Sequence, residues 1–289
     1  MSSITSSLTR ALSADPTSLP RKLSVEFPPL LFPLDSAKPK SSLDDFDNVQ
    51  ELTANADLLL TLLPLSPLFK DSLLLFPDLR ECEEARKRFP GKMFAPYTYS
   101  TIAAAAKHYD EGSYAIPWGE RIVSLVNPSS LGDPKVLSPL PPPAPPTLAF
   151  AVQPGNAGPV EDWLNLEPIQ KATGASLVII NGALDKVTSG YYPRPFFPAL
   201  AACSDRFYRD IEAAFYLKPV QAKGLYAWVY RVYGEPWQVV LQEEDDGEVT
   251  DVVCWQGERK PSYEECVRAM LDAGGGEEGW KKREREEFI

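Results

Sequence analysis

Histidine is nearly absent from this chain: its 289 residues include one, His108. A lone imidazole cannot furnish a histidine metal centre, and it makes a weak start for acid–base or nucleophilic catalysis without a posed partner. Asp110 and Glu111 stand beside it in sequence, where solvation of a helix end accounts for all three. Cysteine is scarce as well. Cys82, Cys203, Cys254 and Cys266 lack the paired spacing of a zinc site and read as buried, reduced thiols, which fits a reducing compartment. No metal and no cofactor is expected. Long apolar runs are missing too: the strongest, Leu58 to Leu63, stops at Pro64, far short of the ~18 residues of a membrane span. Positive charge is outnumbered, 29 basic against 40 acidic residues for a net charge of −11, which argues against a nucleic-acid partner, since following phosphates needs a clustered basic surface. A phosphate-cradling glycine loop is also lacking. Gly91-Lys92 would need a glycine where Arg86 stands and a hydroxyl residue where Met93 stands, so this segment reads as a helix-ending turn.

What is present is an alternation of short β-branched runs and helical segments. The runs at 22–27, 73–77, 122–127, 148–153 and 177–181 read as strands, and most of them close on Pro, Asn or Asp. Between them, Ser42 to Leu63 keeps Phe46, Val49, Leu52 and Ala56 on one helical face, and Leu79 to Phe89 reads as a charged surface helix. Met93 to Lys107 also reads as helix, as does Val160 to Thr173. The last joins two strands at a length that makes a right-handed parallel crossover. At the start of the chain, Ile4, Leu8 and Leu12 share helical spacing in a hydroxyl-rich, acid-free segment. Organelle transit peptides begin in this way, but the segment leads directly into the first strand and reads as the first helix of the fold. A transit peptide is therefore not visible.

The last third changes character. Asp205 to Tyr216 reads as helix, with Phe207, Ile211 and Phe215 in register. Three antiparallel strands follow at 225–233, 237–242 and 249–255, and Ser262 with Glu265 forms a capping box for a closing helix. The fold class is α/β: a Rossmann-like, mainly parallel sheet flanked by helices, extended by a C-terminal antiparallel meander. It forms a single domain over 1–273, with a seam at the proline-rich loop 128–146, followed by a charged tail at 274–289 that is expected to be mobile.

Candidate functional residues fall into two sets. Asp78, Asn127, Gln153 and Asn181 are polar residues at strand carboxyl ends, where open α/β sheets gather ligands. Capping of the next helix is the plain reading of Asp78. Leu137 and Leu140 in the proline run, with Trp280 and Phe288 in the tail, are apolar residues in segments that cannot bury themselves, and they form the candidate partner-binding set. Tyr226, Trp228 and Tyr230 share one strand face, with Val229 on the other; such a row most often faces a helix or the core.

A succession of short motifs carries a resemblance. In chain order they are Val25-Glu26-Phe27-Pro28-Pro29, Leu75-Phe76-Pro77-Asp78, Gln153-Pro154, Asn181-Gly182-Ala183-Leu184, Phe196-Phe197-Pro198-Ala199-Leu200, Ala214 to Pro219, and Tyr233 to Val239. Together they resemble the domain of unknown function 1995 of plants, algae and cyanobacteria. That domain occurs in low photosystem II accumulation proteins and, behind a kinase domain, in some plastid adenylate kinases. The resemblance implies a chloroplast protein, stromal or peripheral to the thylakoid. It implies a non-enzymatic factor or peripheral subunit that binds protein partners such as photosystem subunits or assembly factors. It brings no catalytic residues. The competing expectation is a nucleotide- or metabolite-binding enzyme that uses the crevice at the strand ends.

Overall fold

The computed structural model describes residues 2–14, 21–28, 55, 58–59, 61–88, 97–116, 144–155, 160–245 and 248–274. The chain divides into two compact units. One comprises Leu12–Val25 and Pro29–Glu212, and the other Ser2–Ala11, Glu26–Pro28 and Ala213–Ile289. The expected strand at 122–127, most of the seam, Asn127, Leu137, Leu140 and the tail with Trp280 and Phe288 lie outside the described residues.

The first unit is the parallel α/β layer. Its strands are β1 (Lys22–Glu26), β2 (Leu73–Phe76), β3 (Thr98–Thr101), β4 (Leu148–Val152) and β5 (Ser176–Ile180). They align in the order β3-β2-β4-β5-β1, and every neighbouring pair is parallel. Strands β2, β4 and β5 are buried on both faces, which is why their sequences run apolar without alternation. The helices are α2 (Leu79–Arg88), α3 (Ile102–Tyr109), α4 (Val160–Thr173), α5 (Leu184–Thr188) and α6 (Pro198–Arg206). On one sheet face Leu73, Leu75, Ala149, Ala151, Leu177 and Ile179 pack with Ile102 and Ala105 of α3, Trp163 and Leu166 of α4, and Cys203 of α6. The other face carries Leu74, Phe76, Phe150, Val152, Val178 and Ile180, all buried. There Phe150 meets Phe69 edge-on at 5.5 Å and Phe76 stacks on Tyr99 at 6.2 Å.

Two boundaries differ from the sequence reading. The helix expected from Met93 begins at Ile102, because 98–101 pair with β2 as a strand and Thr101 accepts a hydrogen bond from the Ala104 amide at 3.1 Å, capping α3. The helix expected over 205–216 is not formed. Instead α6 ends at Arg206, a 3-10 turn spans Tyr208–Asp210, and a strand begins at Glu212. Phe215 and Tyr216 point to opposite strand faces, yet both are buried. A strand apolar on both sides imitates a helical stripe, so periodicity could not separate the two.

The second unit holds α1 (Ser2–Ser13, of which Ser2–Ala11 belong here), the strands β6 (Glu212–Ala222), β7 (Leu225–Val232), β8 (Trp237–Asp245) and β9 (Glu248–Gly257), and α7 (Tyr263–Ala273). The three expected strands form an antiparallel meander that β6 extends by a fourth, with a bulge between Val239 and Val240. One face buries Tyr216, Leu225, Ala227, Val229, Trp237, Val239 and Leu241 with Cys266 and Met270 of α7. The capping box forms as expected: Glu265 N donates to Ser262 Oγ at 3.2 Å and Ser262 N to Glu265 Oε2 at 2.8 Å. Helix α1 buries Ile4, Leu8 and Ala11. Its Ser7 hydroxyl donates to the Ala214 carbonyl and accepts from the Tyr233 amide, tying the ends of β6 and β7.

Candidate functional site

The strand order defines where a ligand crevice can open. From β2 the chain leaves through α2 to β3, whereas from the neighbouring β4 it leaves through α4 to β5. Helix α4 packs on the Leu73–Leu75 face. Helix α2 packs on β2 and β3 with its Cys82 and Ala85 buried, on the Phe76–Tyr99 face. The carboxyl ends of β2 and β4 therefore diverge to opposite sides, the arrangement at which open α/β sheets hold ligands.

Three of the four expected crevice residues are described, and they follow β2, β4 and β5, three adjacent strands. Asp78 is exposed and caps α2: its Oδ1 accepts from the Glu81 amide at 2.9 Å and its carbonyl from Cys82 N at 3.2 Å. Gln153 and Asn181 both take left-handed backbone conformations, with φ of 43° and 47°. Each still completes its ladder, Gln153 N donating to the Ile180 carbonyl and Asn181 N to the Val25 carbonyl, both at 2.8 Å. Asn181 Nδ2 then donates to Oδ1 of the fully buried Asn55 at 2.7 Å. Gln153 is 2% exposed and its Oε1 has no partner among the described residues. A buried acceptor left open costs of the order of 1–3 kcal/mol, so this amide is held for a reason other than stability or is met by water. Thus Asp78 and Asn181 are engaged in capping and in a buried amide pair, and of the three strand-end residues Gln153 keeps an open acceptor.

Two acids unmarked by the sequence reading complete the site. Asp162, in the first turn of α4, is 2% exposed, and its Oδ2 accepts from the Gly155 amide at 3.1 Å. Burial raises its pKa to about 7, against the opposing pull of the Gly155 hydrogen bond and aided by the charges of Glu161 and Asp78. Burial likewise raises Glu81 to about 8, reinforced by Asp78 and Asp162. Near neutral pH Glu81 is therefore mostly protonated and Asp162 partly so. Each has a weak signal in the sequence: Glu81 lies three residues after the cap Asp78, and Asp162 lies in the first turn after a glycine-containing strand–helix loop. Gly155 itself cannot be replaced freely. Its φ is +77° and a Cβ would fall 2.5 Å from the Trp163 ring. Trp163 is fixed in turn by its indole, which donates to the Gly182 carbonyl at 2.9 Å.

The remaining candidates resolve simply. His108 is exposed in the last turn of α3. All four cysteines are free thiols, and burial pushes Cys82 and Cys203 up to about 12, which leaves them unreactive at neutral pH. No group of three or more metal-ligating residues occurs among the described residues, and no helix there is long and apolar enough to cross a membrane. The aromatic row occupies the meander face turned away from α7: Val229 joins the α7 core, while Tyr226, Trp228 and Tyr230 stay half-buried on the other side. Register brings Leu217, Pro219, Val240 and Val253 onto that same face. Val253 is 51% exposed, and Val249, on the same strand β9, 59%.

No curated protein matches the chain, and no solved structure does. Residues 1–268 match the family model described as the domain of unknown function DUF1995, and the chain belongs to that family.

Proposed function

We propose that this protein is a non-enzymatic chloroplast factor or peripheral subunit that binds protein partners in photosystem biogenesis or accumulation. The observation that carries the binding part is the outer face of the meander. Trp228 stands between Pro219 and Val240 in register, flanked by Tyr226 and Tyr230, with Val253 exposed beyond Val240 and Val249 exposed farther along β9. Partly exposed apolar surface on a sheet, centred on tryptophan and tyrosine, is the composition of interface hot spots. The plastid and photosystem part is supported by the resemblance of the motif succession to low photosystem II accumulation proteins. Trp228→Ala, tested by affinity capture from chloroplast extract with quantitative mass spectrometry, is expected to weaken partner recovery by roughly 30-fold, the loss typical of one central aromatic anchor. Unchanged recovery with a folded variant contradicts the reading.

The switch-point crevice supports a second reading, a metabolite-binding site, through one observation: the open acceptor of buried Gln153 beside acids held partly protonated. Acidic groups gathered there supply no cation for phosphate and gain charge as pH rises, so nucleotides are the disfavoured ligands of this reading. Saturable binding of a nucleotide that Gln153→Leu abolishes would restore them.

A further inference from the structure

Strand β9 is the outermost strand of the meander: it pairs with β8 along one edge, and its other edge meets no strand among the described residues. Such an edge presents unpaired backbone amides and carbonyls, and native proteins shield it with short strands, lysine, proline or bulges. The first unit does so at its own terminal strand β3, which has four residues, the last two buried. By contrast, β9 has ten residues and neither lysine nor proline. Its bulge falls at Cys254, since Val239 faces Trp255 and Val240 faces Val253. Ahead of the bulge the register runs unbroken over six residues, Glu248 to Val253, opposite Asp245 to Val240. All five residues from Val249 to Val253 are exposed, Val249 at 59%, Val252 at 38% and Val253 at 51%. Val249 and Val253 belong to one strand face and Val252 to the other, so both faces of this segment meet solvent.

Charge decides what fits this edge. From Trp237 to Gly257 the sequence has six acids, Glu243, Glu244, Asp245, Asp246, Glu248 and Asp251, and no base. Asp251 is exposed in the middle of the valine segment, on the face that carries Val249 and Val253. Its Oδ1 accepts a long bond of 3.4 Å from Gln242 Nε2, which an incoming cation can share. A second copy of β9 would bring the same acids and no base to neutralise them, so charge opposes self-pairing. A strand with lysine or arginine beside Asp251 and apolar residues beside the valines gains from each cross-strand pair.

We infer that β9 takes up an extended, basic segment of a partner protein as an added strand along Glu248 to Val253, with lysine or arginine beside Asp251 and apolar side chains beside Val249 and Val253. Backbone hydrogen bonds to the open edge hold such a strand, and its alternate side chains select it. The bulge at Cys254 ends the run, so the segment spans the six residues ahead of it. The inference rests on the partner-binding reading above and adds a strand edge to the face around Trp228.

The test titrates the isotope-labelled full chain with a disulfide-closed β-hairpin peptide whose free strand reads Thr-Val-Thr-Arg-Thr-Val-Thr, and with a twin carrying glutamate in place of arginine. Amide resonances of Val249 to Val253 should shift and saturate with the arginine hairpin below about 1 mM, and the glutamate twin should bind roughly 10-fold more weakly. Asp251→Lys, an exposed change on the strand edge, should invert that preference. The comparison of the twins on the wild-type chain stands whether or not the variant folds. Absence of saturation by the arginine hairpin up to about 5 mM overturns the proposal. So does equal binding of the twins, or a folded Asp251→Lys chain that keeps the wild-type preference. Shifts of the same amides on concentrating the chain alone would assign the edge to a second copy and overturn it as well. Unmoved β9 amides alongside Trp228-dependent capture of a partner would sink strand addition and leave the partner-binding reading standing.

Discussion

Replacing Asp162 by asparagine should stabilise this protein at alkaline pH, although it alters a fully buried residue in the candidate crevice. Burial lifts the Asp162 carboxyl from the usual 3.8 to about 7 in the folded chain. An acid raised in this way contributes its full stability below its unfolded pKa and loses it as pH rises through the folded value. The window is therefore roughly pH 4 to 7, and above it the carboxylate must be ionised in a poorly solvated place. A rise from 3.8 to about 7 corresponds to about 4 kcal/mol, an upper figure because Asp162 and Glu81 titrate together. Asparagine keeps an oxygen for the Gly155 amide, which lies 3.1 Å from the native carboxylate, and carries no charge. Urea unfolding of wild type and Asp162→Asn at pH 4 and pH 8 should show near-equal stabilities at pH 4 and a gain of about 2–3 kcal/mol for the variant at pH 8. The same gain at both values, or a loss at pH 8, would refute the electrostatic reading of the crevice. A gain at pH 8 alone would mean that the native chain keeps a destabilising acid at its topological switch point, the pattern of a retained functional group.

Gly155→Ala should cost about 3 kcal/mol, because the added Cβ would fall 2.5 Å from the Trp163 ring at a φ of +77°; differential scanning calorimetry should show a clear fall in Tm. Glu167, though burial raises its pKa, is held at about 2 by hydrogen bonds from Arg206, Lys171 and Cys203. Its contribution is present above about pH 4.5 and is lost as pH falls through 2, so Arg206→Ala should destabilise by about 2 kcal/mol at pH 7 and by less at pH 2 in urea titrations. In the native protein at pH 8, a thiol reagent should leave Cys82 and Cys203 unmodified by peptide mapping, since burial keeps both as thiols.

The parallel layer was legible because β2, β4 and β5 are short apolar runs closed by turn residues, and the helices between them carry clear stops such as Pro64 and capping signals. The meander was legible through strand parity and its two turns, and the Ser262–Glu265 capping box formed as read. Strand β6 was not legible, because Ala214 to Tyr216 are buried on both faces and Phe207, Ile211 and Phe215 also fit a helical stripe. Strand β3 was hidden in four residues that end on the cap of α3. Within the site, chain order marked the strand ends Asp78, Gln153 and Asn181. Glu81 and Asp162 escaped because their chemistry comes from burial, which depends on tertiary packing.

The central claim is that the outer face of the meander is the partner-docking surface. A photoreactive benzoylphenylalanine placed at Trp228, and separately at the exposed Tyr191 of the first unit, followed by irradiation in intact chloroplasts and mass spectrometry, tests it most directly. The account predicts a discrete crosslink from position 228 to a photosystem subunit or assembly protein, and none of that species from position 191. No discrete crosslink from 228, or the same products from both positions, would contradict it.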